Sequence, residues 1–154
     1  MTARYRFEHA WTLPLAPDEL FDVLADVGGY PRWWPQVRAV VRIDDDTAHV
    51  VARSLLPYSL DLVLRRAVED RAAGILEVGL SGRLDGWSRW RIVADEPGTS
   101  RLLYEQEVAV TGRLLALGSR VARPVLEANH AWMMRGGRRG LVSLGASPDG
   151  STAR

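Results

Sequence analysis

Arg4-Tyr5-Arg6-Phe7-Glu8-His9-Ala10-Trp11-Thr12-Leu13 alternates with a period of two. Tyr5, Phe7, His9, Trp11 and Leu13 share one face, and Arg4, Arg6, Glu8 and Thr12 share the other. Successive side chains of a strand point to opposite faces, so this is a strand with one side buried. The period then changes at once. Ala16-Pro17-Asp18-Glu19 opens a helix. Proline at the first helical position gives up no needed donor, and two carboxylates favour the positive end of the helix dipole. Leu20, Phe21, Leu24 and Val27 form its apolar side, and Gly28-Gly29 is the expected stop. Between its prolines, Tyr30-Pro31-Arg32-Trp33-Trp34-Pro35 has room for one short helical turn. Two adjacent tryptophans on one turn are expected to diverge, one anchoring the turn and the other near a pocket mouth.

From Val37 the strand period returns and persists. Val37 to Ile43, Ala48 to Leu55, Leu60 to Glu69, Ile75 to Ser81, Trp87 to Ala94 and Arg101 to Thr111 are the expected strands. Gly82 and Gly86 are read as flanking the fifth of these, and Ala73-Gly74 and Pro97-Gly98-Thr99 as turns. Asp44-Asp45-Asp46 lacks the glycine and distal glutamate of a calcium loop and reads as a solvated hairpin turn. Connections this short argue for an antiparallel meander rather than βαβ units.

The final third is helical: Leu114, Leu117, Val121, Val125, Ala128, Trp132 and Gly136 recur at helical spacing. Pro124 predicts a break near Arg123, with the main helix running past Met134. Gly136 and Gly140 weaken helical propensity and predict a closely approaching neighbour. From Gly145 the chain is polar and is expected to be a disordered tail, which leaves one domain over residues 1–144. The fold class is α+β: a curved seven-stranded antiparallel sheet around a long C-terminal helix, with two short helices after the first strand. The helix is the one element large enough to cover the sheet's apolar face. A twisted sheet curling round a helix leaves a gap where the helix does not fill it, and a cavity is expected there.

Composition narrows the chemistry. The sequence has 154 residues, enough for one domain with a core of its own. It has no cysteine, which excludes disulfides, thiol nucleophiles and cysteine-ligated zinc. All 20 basic residues are arginine, against 19 acidic ones, for a net charge of +1. The arginines are scattered among acidic neighbours, so no basic stripe for nucleic acid exists. The residues MTARYRFEHAW do not form a signal peptide, and no apolar run spans a membrane. A cytoplasmic protein without stable membrane insertion is the expectation.

Several stretches resemble one superfamily. They are Trp11, Ala16-Pro17, Glu19, the run from Tyr30 to Pro35, Leu56-Pro57-Tyr58, and Gly82-Arg83-Leu84-Asp85-Gly86 with Trp90. Gly98-Thr99 before Tyr104 follows, and then Ala122-Arg123-Pro124-Val125, Asn129-His130, Met134, Gly137 and Gly140-Leu141. In order and spacing these resemble the SRPBCC superfamily, the START and pollen-allergen-like helix-grip fold, and within it the bacterial polyketide cyclase/dehydrase type. The likeness covers about residues 4 to 144. It implies a hydrophobic cavity for lipids, polyketides, sterols or similar molecules, and it does not fix the chemistry.

Candidate catalytic residues are His9 and Tyr104. His9 lies in phase with Tyr5, Phe7 and Trp11, where an inward imidazole can act as a general base or simply hydrogen-bond a neighbouring strand. Leu102, Tyr104, Val108 and Val110 share a face, which turns Tyr104 and Gln106 toward the helix. Glu105 and Glu107 fall on the opposite face, so paired-carboxylate catalysis has little support. Trp90 and Trp132 are candidate flat walls, and Tyr104 and Gln106 candidate partners for a ligand carbonyl; each also fits ordinary core. Trp11, Trp34, Tyr58, Asn129 and Met133 complete the expected ligand contacts. His130 beside Asn129 reads chiefly as a helix-to-sheet hydrogen bond, and His49 as solvent-facing. Three histidines without convergent carboxylates make no metal site, and no cofactor fingerprint is present.

Three functions remain in order of support. The first is a carrier or sensor for a hydrophobic small molecule. The second is a polyketide cyclase or aromatase/dehydratase, in which the cavity folds the substrate and His9 or Tyr104 handles protons. The third is a protein-interaction module with a collapsed cavity. A cavity above about 300 Å³ favours the first two. A monomer or homodimer fits the sequence, since an edge strand is open to pairing.

Overall fold

The computed structural model describes residues 3–55, 59–110 and 119–146. The elements run β1 (Ala3–Leu13), α1 (Pro17–Ala25), α2 (Tyr30–Trp33), β2 (Val37–Arg42), β3 (Thr47–Ala52), β4 (Leu60–Asp70), β5 (Ile75–Gly82), β6 (Leu84–Ala94), β7 (Ser100–Val110) and α3 (Ser119–Ala146). The seven strands form one antiparallel sheet in the order β1-β7-β6-β5-β4-β3-β2. The meander from β2 to β7 is closed at one side by β1, which pairs with β7 from Ala3 opposite Val110 to Leu13 opposite Ser100. Bulges in β2 and β4 bend the sheet, which is the α+β helix-grip architecture expected from the sequence.

α1 starts as predicted, with Pro17 at its first position and Leu20, Phe21 and Leu24 buried. It stops at Ala25, before the glycines, because Asp26 leaves helical geometry; Val27–Gly29 makes a tight 3₁₀ turn that leads into α2. β3 ends at Ala52 rather than Leu55, and three further differences from expectation bear on the packing. β6 begins at Leu84, so Gly86 lies inside the strand rather than beside it. A β-carbon at Gly86 would overlap the Glu107 carbonyl oxygen, and glycine is what allows β6 so close to β7.

The second difference is Pro124. It stands inside a continuous α3 instead of breaking it near Arg123. Proline forgoes the bond its own N–H would give to the Arg120 carbonyl, and its ring crowds that carbonyl, yet the helix continues through it. Third, Gly145 and Ala146 remain helical. Leu114, Leu117 and the expected tail from residue 147 lie outside the described residues.

α2 docks on α3 through aromatic rings and glycines. Trp33 and Trp34 are both buried, in the same core, with ring centroids 5.4 Å apart. The expected divergence fails because Trp34 caps α2 in extended conformation, which turns its ring back toward α3. Trp34 Nε1 donates to the Met133 carbonyl at 2.8 Å. On α3, Gly137 faces the Trp34 ring, Gly140 the Trp33 carbonyl and Gly136 the Gln36 side chain, all too close for a β-carbon. The glycines that cost helical propensity are therefore the seat of α2.

The core has two parts. One gathers Leu20, Phe21, Leu24, the α2 aromatics, Trp11, Trp90, Leu102, Met134 and Leu141. The other, toward the opposite end of the sheet, gathers Tyr5, Leu80, Val108 and Val110, with Leu126 packed against them.

Candidate functional site

A cavity of about 430 Å³ lies between the sheet and α3 and borders both parts of the core. Its volume lies within the range of small-molecule sites, about 300–1,000 Å³. Most of the wall is aliphatic, from Val50 on β3, Leu60, Leu62 and Leu64 on β4, Leu76, Val78 and Leu80 on β5, and Val108 and Val110 on β7. The period-two patterns put these side chains inward. Tyr30, Trp34 and Trp90 form an aromatic stretch of wall, and Leu126, Met133 and Met134 come from α3.

One patch of wall is polar. Gln106 Oε1 accepts from the Tyr104 hydroxyl at 2.9 Å and lies 2.9 Å from His130 Nε2. A carbonyl oxygen only accepts, so His130 carries its proton on Nε2 and its lone pair on Nδ1. His9 Nε2, 3.3 Å from that Nδ1, then donates to it. The His130 ring also stacks on Phe7, with centroids 3.9 Å apart and planes 10° from parallel. Burial, and secondarily a neighbouring charge on His9, brings the His130 pKa down to about 3, so the ring is neutral near pH 7. Burial lowers His9 as well. It raises the hydroxyls of Tyr104 and Tyr30, which stay protonated.

The sequence-predicted residues separate into three groups. Trp34, Trp90, Tyr104, Gln106, Asn129 and Met133 line the cavity. His9, Trp11 and Trp132 do not belong to its wall. His9 does point inward as its phase requires, yet it stands behind His130, with its ring 6.3 Å from that of Tyr104. Trp11 packs on Trp90 in the core. The Trp132 carbonyl receives a long 3.4 Å hydrogen bond from Gln36. Tyr58 lies outside the described residues.

Asn129 is on the wall, but its amide oxygen is engaged. It accepts from Ser54 Oγ at 3.1 Å and from the Leu55 backbone N–H at 2.8 Å, which ties α3 to the chain after β3. His130 proves to be the helix-to-sheet hydrogen bond its sequence context suggests, and it also reaches the cavity. Sequence reasoning did not single out Tyr30, Ser88 or the inward leucines of β4 as wall. Ser88 is legible only through its register opposite Gln106.

The mouth is charged. Asp44, Asp45 and Asp46 of the β2–β3 turn, Asp26 before α2, and Arg42, Arg66 and Glu69 all lie on the cavity's rim and are exposed. The Asp44 carboxylate accepts from the Asp46 backbone N–H at 2.9 Å, which holds its pKa below the usual range and fits the turn role.

Solved structures share this architecture. The Zhui aromatase/cyclase from a Streptomyces species superposes with a TM-score of 0.79 at 16% identity, over 93% of this chain and 94% of that one. A START superfamily protein from Mycobacterium smegmatis gives 0.71 at 14% identity, over 90% of this chain and 97% of that one. Ara h 8.0201 gives 0.65 at 15% identity, over 92% and 99%. At these identities the likeness is one of fold. No curated protein matches the sequence. The sequence profile of one family, described as polyketide cyclase / dehydrase and lipid transport, matches residues 13–130, well over half of the chain. With an SRPBCC-type profile, a helix-grip sheet and a cavity under the last helix, the chain belongs to the polyketide cyclase/dehydrase and lipid transport family.

Proposed function

We propose that this protein binds a hydrophobic small molecule, a lipid, a polyketide or a molecule of similar shape, in the cavity between sheet and α3. The observation that carries this reading is the wall itself: about 430 Å³ bounded mainly by leucine, valine and tryptophan, with one hydrogen-bonded polar patch. Removing an apolar ligand from water into such a wall is favourable by roughly 25 cal/mol per Å² of apolar surface buried. The polar patch would fix the orientation of a ligand hydroxyl or carbonyl.

A cyclase or aromatase/dehydratase is the second reading. Its support is that His130, Tyr104 and Gln106 converge on the cavity, together with the fold shared with the Zhui aromatase/cyclase. A general base needs a free lone pair within reach of the proton it takes. His130 uses Nε2–H on Gln106 and Nδ1 on His9, and Tyr104 is protonated and donating. His9 stands outside the wall. Turnover would require this hydrogen-bonded set to open, which is why binding ranks first.

Native mass spectrometry of the purified protein tests the first reading. A co-purifying apolar molecule, or a rise in melting temperature with added apolar compounds, is the expected result. Persistent absence of both would overturn it. For the enzyme, loss of turnover of a polyketide-like substrate in His9→Ala with folding intact would restore His9 as base.

A further inference from the structure

The cavity's charge pattern carries a step beyond the binding reading, on which it rests. Among the described residues, the polar side chains that line the cavity away from its mouth include Tyr30, Ser88, Tyr104, Gln106, Asn129, His130 and the half-buried Glu77, which is paired with Arg89 at 2.7 Å. None is cationic, and the Asn129 oxygen and both His130 ring nitrogens already have partners. Among the described residues, the two arginines on the wall are Arg42 and Arg66, both at the exposed mouth. Arg42 is paired with Asp45, and Arg66 with Glu69 at 2.8 Å and Asp46 at 3.7 Å. Asp26 and Asp44 stand at the same mouth, giving five exposed carboxylates there against two guanidiniums.

We propose that the pocket selects an uncharged ligand, such as a long-chain alcohol, ester or ketone, and discriminates against the carboxylate of the same chain. Two effects act in the same direction. An anion approaching the mouth meets a local excess of negative charge. Once inside, it meets hydrogen-bonding groups without a counter-charge, and a buried ion without a partner is far more costly than a buried hydroxyl that finds one. The first effect is screened by salt; the second is not.

The test compares decanol, methyl decanoate and decanoate with the purified full chain by calorimetry at about pH 8, where the acid is ionised. The two neutral compounds are expected to bind, and decanoate at least about tenfold more weakly, with most of that gap surviving about 0.5 M salt. Decanoate binding as tightly as decanol would overturn the selectivity and leave the binding reading intact. Failure of all three to bind, with a folded protein, would overturn the binding reading and the selectivity with it.

Discussion

Gly140 on α3 lies against the backbone carbonyl of Trp33 so closely that a β-carbon at position 140 would overlap the oxygen. Glycine to alanine inside a helix ordinarily stabilises by about 1 kcal/mol. Here the sign reverses, because the obstacle is backbone and cannot rotate away. Gly140→Ala is expected to destabilise the protein by at least about 2 kcal/mol, read from the urea midpoint. Unchanged or higher stability would show that α2 does not seat on α3 in this way.

Asn129 makes a second prediction. It is buried, and its oxygen holds the Leu55 N–H and the Ser54 hydroxyl. Asn129→Ala should cost about 1–3 kcal/mol, since it leaves a backbone donor without its partner. Faster amide exchange at Leu55 would accompany it. Wild-type stability and wild-type exchange in this variant would remove the tie between α3 and the chain after β3.

The buried His130 predicts a dependence of stability on pH. Its pKa falls from the ordinary 6.5 to about 3 in the folded state, so between those values the unfolded chain binds the proton preferentially. Its contribution is therefore complete above about pH 6.5 and is lost as pH falls toward 3. His9 shifts in the same direction. Between about pH 7.5 and pH 5, His130 should account for a loss of about 2 kcal/mol. The variant His130→Gln, compared with wild type at both pH values, should show a loss smaller by about that amount. Identical pH dependence in the two proteins would contradict the buried neutral imidazole.

Periodicity made the sheet legible and left the site half-read. The alternation in β7 identified Tyr104 and Gln106 as inward, and both are on the cavity wall. The same argument placed His9 inward, correctly, but strand phase specifies a face and not which side chain on it meets the void. His130, coming from the helix, fills the space in front of His9. Trp33 and Trp34 show a second limit. Helical geometry would separate them, yet the extended backbone at Trp34 brings both into one core, and cap geometry is not written in the periodicity. Pro124 shows a third: its sequence signals the loss of one hydrogen bond, not whether the rest of the helix sustains it.

On the binding reading proposed above, a ligand sits in the space bounded by the β4 leucines and α3. Leu64 lies on that wall and is half-buried, facing the space, so Leu64→Trp should fill part of it with little loss of stability. Titrating an apolar fluorescent probe into wild type and Leu64→Trp, with folding checked by circular dichroism, tests whether this space is the binding site. Saturable binding to the wild type that weakens at least about tenfold in the variant is the result predicted from a blocked pocket. Equal affinity in two folded proteins would place the probe elsewhere and contradict the cavity as the binding site.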